Sequence, residues 1–230
     1  MIGRIKNSFS ISCLLLSTIF ITGCKSNMKD ESNVSLPEYV TLNLETLNNS
    51  QDKTIRIKAK KLNFPLSAAD KESVWILEQK YDQEANCAGL AAPQIGISKQ
   101  IIIFAVPDTE ELKKWRPDLI DTMPKTIWIN PSYKPIGDEK HTDYEACFSV
   151  ENATGPVARF KKIHYQACDT KGNKTEGTAE GFLARVIQHE IDHLNGKVFL
   201  DHVVPEQIMT KEQYLEMRKK ANSTGQFKEN

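Results

Sequence analysis

The sequence has no excess of charge of either sign. Its 230 residues include 30 Lys and Arg side chains and 30 Asp and Glu side chains, so the formal net charge at pH 7 is zero. A chain without net charge creates no global field that would attract nucleic acid or an anionic membrane surface. We therefore expect no nucleic-acid partner.

Cysteine is also scarce, and no apolar run is long enough to cross a membrane with ease. The spacing of the cysteines is not that of a small disulfide-stapled domain, so a packed hydrophobic core must hold the fold. The five cysteines are Cys13, Cys24, Cys87, Cys147 and Cys168. The apolar run at residues 11–21 is shorter than the roughly 20 residues that a transmembrane helix needs.

This short apolar run fits an export signal. Arg4 and Lys6 give the positive start of a signal peptide, and the run ends in Ile21-Thr22-Gly23-Cys24, which resembles the bacterial lipobox. We expect residues 1–24 to be a lipoprotein signal peptide and Cys24 to receive the lipid. The protein would then be exported and anchored to a membrane, at the periplasmic face or the cell surface. An uncleaved anchor and an ordinary signal peptide are alternatives, and the protein would be cytoplasmic if the signal interpretation is wrong.

The remaining chain divides into a tether and a folded domain. Residues 25–50 are rich in polar and charged side chains with few large apolar ones, which predicts a flexible linker. Residues 51–230 are expected to form a single domain.

Hydrophobic periodicity predicts that this domain mixes strands with a few helices. Helices are predicted at residues 68–84, 181–195 and 211–221, the second ended by Gly196 and the third opened by Thr210 and Gln213. Strands are predicted at residues 100–106, 126–130, 144–150, 157–160 and 163–168. Pro131 is expected to end the second strand, and residues 108–125 to form a surface excursion. This order predicts an α+β fold with mostly antiparallel sheets around a central helix, and with a C-terminal helix.

The central helix carries the motif His189-Glu190-Ile191-Asp192-His193. Residues four apart share one face of a helix, so the two imidazoles can bind one divalent metal ion. Glu190 lies beside them and can hold a metal-bound water, which the ion makes acidic near neutral pH. The central helix is therefore predicted to be a metal-binding helix. The alternative, two solvated histidines on a surface helix, is disfavoured because the apolar face of the helix runs beside them.

A catalytic site of this kind needs a third protein ligand and one open position. The extended metzincin motif would place a histidine at position 199, where this chain has Phe199, so that class of protease is excluded. A thermolysin-like site would take a glutamate from a later helix, and Glu212 or Glu216 lies at a suitable distance along the chain. The other option is a thiolate, and Cys147 is the candidate.

Three segments of the chain resemble the three signature motifs of peptide deformylases, in the same order and with comparable spacing. They are Gly89-Leu90-Ala91-Ala92-Pro93-Gln94, Glu145-Ala146-Cys147-Phe148-Ser149 and Gln188-His189-Glu190-Ile191-Asp192-His193-Leu194-Asn195-Gly196. The resemblance covers about residues 55 to 203. It implies a metal-dependent hydrolase that removes the N-formyl group from formylmethionyl peptides by means of a metal-bound water.

The resemblance also implies roles for individual residues. Cys147, His189 and His193 would hold one divalent ion, which is Fe²⁺ in the family, with Zn²⁺ able to replace it. Glu190 would act first as the general base toward the water and then as the acid toward the leaving amine. Gln94 and the backbone N–H of Phe148 would donate hydrogen bonds to the developing oxyanion.

The formylated peptide is the expected partner of this site. Gly89 and Ala88 would lie beside the extended peptide, which pairs with the site by β-addition. Arg159 matches a family position near the substrate side-chain pocket, although a solvated strand arginine is an equal alternative. Asp192 is either a buried group that orients a neighbour or an acid on the helix surface.

The chain departs from the family pattern in two motifs and in its expected cellular location. Cys87 and Ala88 replace the usual glycine and larger aliphatic residue of the first motif, and Ala146 and Phe148 replace the usual glycine and leucine of the second. Cys87 loses the freedom of glycine at positive φ, and Ala88 should widen the substrate wall. Export would place the enzyme away from nascent chains, and Zn²⁺ would suit an oxidising compartment better than an Fe²⁺–thiolate site.

Two other functions compete with this interpretation. One is an exported zinc endopeptidase that uses the same helix with Glu212 or Glu216 as the third ligand. The other is a non-catalytic lipoprotein that keeps the metal for stability or binds formylated peptides.

Overall fold

The computed structural model describes residues 35–45, 53–85 and 87–223, and within them two antiparallel sheets enclose one buried helix. The helices are α1 (Ala68–Gln83), α2 (Glu110–Trp115), α3 (Phe182–Leu194) and α4 (Lys211–Ser223). The strands are β1 (Gly89–Ala91), β2 (Ile101–Val106), β3 (Met123–Pro135), β4 (Lys140–Glu145), β5 (Gly155–Phe160), β6 (Lys162–Cys168) and β7 (Lys174–Glu180). Short 3₁₀ turns at Ala92–Ile95 and Phe199–His202 complete the surroundings of α3.

The sheet topology confirms the predicted α+β fold. One sheet has five strands in the order β1-β2-β3-β6-β7, and β4 and β5 form the other. Every pairing between named strands is antiparallel. Helix α3 contacts both sheets, and its apolar face packs on Phe104, Trp128 and Ile163. The predicted central helix is therefore the element around which both sheets are arranged.

Helix α3 lies between two glycines, close to the limits of the helix predicted at residues 181–195. Gly181 precedes it with φ 67°, and Gly196 follows it with φ 75°. A Cβ on Gly196 would lie 2.5 Å from the carbonyl oxygen of Arg56, so a side chain there would clash with backbone. The C-terminal stop predicted at Gly196 is confirmed, and so is the capping box of α4 between Thr210 and Gln213.

Strand β3 does not end at Pro131, which corrects the prediction. It continues to Pro135 through an irregularity between Ile129 and Ser132, where Asn130 has φ 52°. A bulge leaves one residue unpaired, so the missing N–H of proline removes no ladder hydrogen bond there. The Asn130 side chain holds this conformation by hydrogen bonds to the backbone N–H and carbonyl of Leu62.

The strand predicted at residues 144–150 is wrong in its second half. Strand β4 ends at Glu145, and the chain then turns, with the Val150 N–H donating to the Cys147 carbonyl at 3.2 Å. The Ser149 N–H donates to the Cys147 sulfur at 3.4 Å. Leaving the sheet turns this sulfur toward α3. The predicted surface excursion at residues 108–125 contains the short helix α2, which Thr109 caps.

The predicted linker is also wrong over residues 36–45, which belong to the same compact unit as the rest of the domain. Leu42 is fully buried, in a cluster with Cys147, Val150 and Phe199. The predicted signal peptide, including Cys24, and residues 25–34 and 46–50 lie outside the described residues. Within the described ranges, no helix combines the length and the apolar character needed to cross a bilayer.

We predict that Leu42→Ala lowers the free energy of unfolding by about 3 kcal/mol, because it leaves a cavity in a closed cluster. Leu44→Ala, two residues away and 51% exposed, should change it by less than about 0.5 kcal/mol. Urea denaturation of both variants measures the difference. Equal, small effects would restore the linker interpretation.

Candidate metal centre

Cys147, His189 and His193 come together at one point, although they come from a turn and a helix far apart in sequence. Their ligand atoms all lie within 4.8 Å of one another, and the Cys147 sulfur is 3.4 Å from Nε2 of His193. Tetrahedral Zn–S and Zn–N bonds of normal length would place these two atoms about 3.5 Å apart. The three donors therefore fit a single divalent ion. Glu212 and Glu216 of the endopeptidase alternative are not part of this cluster.

The outer nitrogens of both imidazoles are occupied by acceptors. Nδ1 of His189 lies 2.8 Å from a carboxylate oxygen of Glu145, and Nδ1 of His193 lies 3.0 Å from the carbonyl oxygen of Lys197. Because neither oxygen can donate, each Nδ1 carries a hydrogen, which leaves Nε2 of each ring as the nitrogen that would bind the ion. This arrangement orients histidines that bind metals.

The charges around Cys147 favour a thiolate. Burial alone would raise the pKa of its thiol, but His193 and His189 overcome burial and lower this pKa to about 5. Burial lowers the pKa of His189, and its hydrogen bonds with Cys147 and Glu145 raise it well above the usual value. A thiolate with two imidazoles is a donor set that suits Zn²⁺ or Fe²⁺ rather than Mg²⁺ or Ca²⁺.

Glu190 lies next to this cluster with one oxygen unused. Burial raises the pKa of its carboxyl to about 7, against the opposing effect of His189 and His193. Its Oε2 is buried and has no hydrogen-bond partner among the described residues. Gly89 allows this close approach, because a Cβ there would lie 2.8 Å from the carboxyl carbon of Glu190. An acid with a free buried oxygen beside three metal donors is placed to hold a water.

Gln94 is fixed in the 3₁₀ turn after β1, with its amide directed at the same cluster. Its side-chain oxygen accepts from the Ala91 N–H at 2.8 Å, and its Nε2 donates to the Cys147 sulfur at 3.2 Å. A primary amide has two N–H groups, so a second donor remains on this nitrogen.

A cleft of about 320 Å³ opens onto these groups. Its wall contains Gly89 and Ala88 of the predicted substrate residues and the predicted oxyanion residues Gln94 and Phe148. Apolar and cationic side chains from α3 and from the loops around it complete the wall. The lining residues are Cys87, Ala88, Gly89, Gln94, Arg116, Tyr144, Glu145, Ala146, Cys147, Phe148, Phe182, Arg185, Val186, His189, Glu190 and Lys211.

Comparison with known proteins identifies the family to which the chain belongs. The family model for polypeptide deformylase matches residues 44–208. The chain is 78% identical over 194 residues to peptide deformylase 2 of Rickettsia conorii, an alignment that covers 84% of this chain and 96% of that protein. The chain belongs to the peptide deformylase family. It is a hydrolase that removes N-formyl groups from peptides, as the sequence motifs predicted.

Solved deformylases share the fold. The enzyme from Thermotoga maritima is 26% identical, covers 75% of this chain and all of its own, and has a TM-score of 0.58. The Acinetobacter baumannii enzyme with Met-Ala-Ser bound covers 74% of this chain and 99% of its own, with a TM-score of 0.61. At 23% identity, that second likeness supports the fold alone.

Among the residues predicted from the resemblance to deformylases, Arg159 has an unexpected position. It is buried rather than solvated, and it is absent from the cleft wall. Its guanidinium donates to both oxygens of Glu145, at 3.0 and 2.9 Å, and also to Asp192. Because Glu145 also accepts from His189, Arg159 acts on the site through that carboxylate and not through a substrate pocket.

Asp192 is likewise buried and not an acid on the helix surface. It accepts from Arg159 and lies 2.9 Å from Nε2 of His202. Burial would raise the pKa of Asp192, but His202 and Arg159 lower it. Arg185 adds a third donor to Glu145, at 2.7 Å.

We predict that Glu145→Ala destabilises the deformylase by about 4 kcal/mol, because Arg159 and Arg185 are then left buried without their carboxylate. Metal affinity should also fall by about 10- to 100-fold, since His189 loses the group that orients it. Glu139→Ala, which breaks the exposed pair with Lys161, is the control and should have an effect below about 1 kcal/mol. Thermal denaturation and metal analysis measure both quantities, and equal effects would contradict the role of the buried network.

Tyr39, Arg185 and His202 are among the residues near the site that were not predicted. Arg185 precedes His189 by four residues and so shares its face of α3, which is a signal that the sequence contained. Tyr39 lay in the predicted linker, although Val40, Leu42 and Leu44 alternate with polar residues there, which is a signal for an extended segment.

The departure at Cys87 introduces no backbone strain. Cys87 is not among the described non-glycine residues with positive φ, so the freedom of glycine is not needed there. Its thiol donates to the Gly89 carbonyl at 3.0 Å, and burial raises the pKa of this thiol. Cys87 is thus a neutral part of the cleft wall and not a second thiolate beside Cys147.

Proposed function

We propose that this deformylase acts on formylmethionyl peptides with one divalent ion held by Cys147, His189 and His193. The observation that carries the proposal is the grouping of these three donors with the free carboxylate oxygen of Glu190, beside a cleft that Cys147, His189 and Glu190 line. When bound, the ion supplies a Lewis acid that lowers the pKa of water toward neutrality and polarises the formyl carbonyl.

Glu190 moves the proton in this proposal. With a pKa of about 7, its carboxylate accepts a proton from water near neutral pH, and the acid that forms can return it. The water oxygen bonds to the formyl carbon, and the C–N bond then breaks. The proton held on Glu190 passes to the leaving nitrogen, which gives formate and a free amino terminus.

Gln94 and Phe148 are proposed to stabilise the oxyanion of this step. The Gln94 amide is held before substrate arrives, because Ala91 fixes its oxygen and Cys147 takes one of its N–H groups. A donor that is already oriented needs no reorganisation when charge develops, and this is the largest source of such stabilisation. The N–H of Phe148 would be the second donor.

The peptide is proposed to bind along β1. This strand is the edge of the five-stranded sheet and pairs only with β2 among the described strands, which leaves its other edge open for β-addition. Gly89 lies on this strand beside Glu190, and Ala88 forms part of the cleft wall. The small side chain of Ala88 leaves room for a long, flexible side chain such as methionine.

The test is formate release from formyl-Met-Ala-Ser by the purified full-length chain loaded with Fe²⁺ or Zn²⁺. The matched control is acetyl-Met-Ala-Ser, whose additional methyl group must fit at the reacting carbon. We expect formate from the first peptide and no acetate above background from the second. No formate with either metal would favour the non-catalytic formyl-peptide-binding alternative.

We propose that the compartment in which the chain works determines which metal ion it holds. Fe²⁺ is implied by family resemblance, and Zn²⁺ is expected if the site works where oxidants reach its thiolate. Metal analysis of chain purified without oxygen from its own compartment distinguishes the two. Zinc in an exported chain supports this proposal, and iron there would contradict it.

We also propose that the chain is an exported lipoprotein anchored through Cys24. The support comes only from the sequence, from Arg4, Lys6, the apolar run at residues 11–21 and the lipobox-like end of that run. Labelling cells with radioactive palmitate should mark the wild-type chain and not Cys24→Ala. Equal labelling, or wild-type chain in the cytosolic fraction, would contradict export. If the enzyme is cytosolic, its substrates would be nascent chains rather than formylated peptides outside the cytosol.

A further inference from the structure

A short N-terminal segment crosses the back of the two turns that carry the oxyanion donors. The Val40 N–H donates to the carbonyl of Gln94 at 2.7 Å. The Leu42 N–H donates to the carbonyl of Ser149 at 2.8 Å, and the Leu42 carbonyl accepts from Glu151 at 2.9 Å. We name residues 39–42 the N-terminal clasp, because they bond to both turns.

Tyr39 extends the clasp to the side chain of Phe148. The two rings are stacked, with centroids 5.1 Å apart and planes 8° from parallel. The Tyr39 hydroxyl donates to Glu84 at 2.9 Å, and the ammonium group of Lys80 lies 4.5 Å from its ring centroid. Tyr39 is therefore anchored to the end of α1 and packs on a Phe148 ring that is itself 39% exposed.

Neither oxyanion donor lies in a regular strand or α-helix. Gln94 is in a four-residue 3₁₀ turn, and Phe148 is in the turn that follows β4. Such turns lack a ladder of hydrogen bonds, so other contacts must fix their position. Oxyanion donors act over about 2.7–3.1 Å, and a displacement of 1 Å in an active site can lower the rate about 100-fold.

We infer that the clasp positions the oxyanion donors, and that Tyr39 is the positioning residue for Phe148. Leu42, which is fully buried, secures one end of the clasp, and the Tyr39 ring secures the other. The inference rests on the proposed function, because it assigns the clasp a task in the same reaction. It gives residues 39–42 a place in catalysis although none of them lines the cleft.

The test compares Tyr39→Ala, Tyr39→Phe and the control Leu44→Ala in the full-length, metal-loaded chain. Tyr39→Ala should lower kcat about tenfold and leave KM within about twofold, because the oxyanion exists only in the transition state. Tyr39→Phe keeps the stacked ring, so its kcat should stay within about twofold of wild type. Metal content should equal that of wild type in all three, and Leu44→Ala should match wild-type kinetics.

A merely structural role would give a different result. It would lower the melting temperature of Tyr39→Ala while kcat per folded, metal-loaded chain stayed within about twofold of wild type, and this would overturn the inference. A Tyr39→Phe variant as impaired as Tyr39→Ala would also overturn it, because the hydrogen bond to Glu84 would then carry the effect.

Three further outcomes are distinguished in the same experiment. If Tyr39→Ala does not fold, Tyr39→Leu keeps apolar volume without the aromatic stack and should show the same selective loss of kcat. A wild-type chain that releases no formate would contradict the proposed function and this inference together. A loss of kcat confined to the variants without the ring, in an active wild-type chain, supports both.

Discussion

Replacing Cys147 with alanine is expected to remove the metal and to abolish formate release. The change leaves two imidazoles to hold the ion, and it removes the thiolate whose pKa the two histidines lower to about 5. A bound metal contributes several kcal/mol to the transition state, so activity should fall at least about 10³-fold. Metal analysis after dialysis and the formate assay measure the two effects on the same sample.

Cys87→Ala is the matched control for this prediction. Cys87 lines the same cleft, but its thiol is kept neutral by burial and donates to a backbone carbonyl. The variant should keep a full complement of metal and most of the activity. If metal and activity survive the loss of Cys147, the thiolate site is refuted, and ligation by Glu212 or Glu216 would have to be considered again.

Glu190→Gln should keep the metal and lose turnover. The variant preserves the size of the side chain but cannot accept a proton from water, and general base catalysis of this kind contributes about 10²- to 10⁴-fold. We therefore expect kcat to fall about 10³-fold while metal content stays at the wild-type value. Single-turnover formate release measures the chemical step.

The control for Glu190 is Glu212→Gln. Glu212 is exposed at the start of α4, outside the metal cluster, and its replacement should leave kcat unchanged. Unchanged turnover in Glu190→Gln would exclude this carboxylate as the base. A loss of metal in the same variant would instead make Glu190 a ligand.

The helix at the centre of the fold was predictable because its information is local. Apolar residues at helical spacing, Gly196 after the last turn and the histidines at 189 and 193 are all read within one short segment. The other site residues, Cys147, Gln94 and Phe148, were predicted from the resemblance of three segments to the deformylase motifs. Local pattern alone left Glu212 and Glu216 as alternatives to Cys147 for the third ligand.

The rest depended on contacts between distant residues. Nothing near Arg159 indicates that Glu145 and Asp192 will bury it, and nothing near Leu42 indicates that Ser149 will accept its N–H. Pro131 was expected to end a strand, but β3 tolerates it at a bulge. The Asn130 side chain fixes this bulge by a hydrogen bond to Leu62, 68 residues away, and the local sequence does not indicate that contact. Local pattern alone contains no such information.

The structure suggests a role for Phe148, which departs from the family pattern. From sequence, its side chain was only a replacement of the usual leucine, and the resemblance assigned its backbone N–H to the oxyanion. In the fold its ring stacks on that of Tyr39, and Val40, the residue after Tyr39, donates to the backbone carbonyl of Gln94, the other proposed oxyanion donor. The aromatic side chain and the N-terminal clasp are therefore expected to work as one unit.

The central claim is that one divalent ion at Cys147, His189 and His193 drives removal of the formyl group. Its most direct test is a titration of the metal-stripped, full-length chain with Zn²⁺, or with Fe²⁺ without oxygen, while formate release from formyl-Met-Ala-Ser is recorded. The account predicts that activity rises in proportion to bound metal and stops rising at one ion per chain. Formate release by the metal-free chain, or none after one ion has bound, would contradict it.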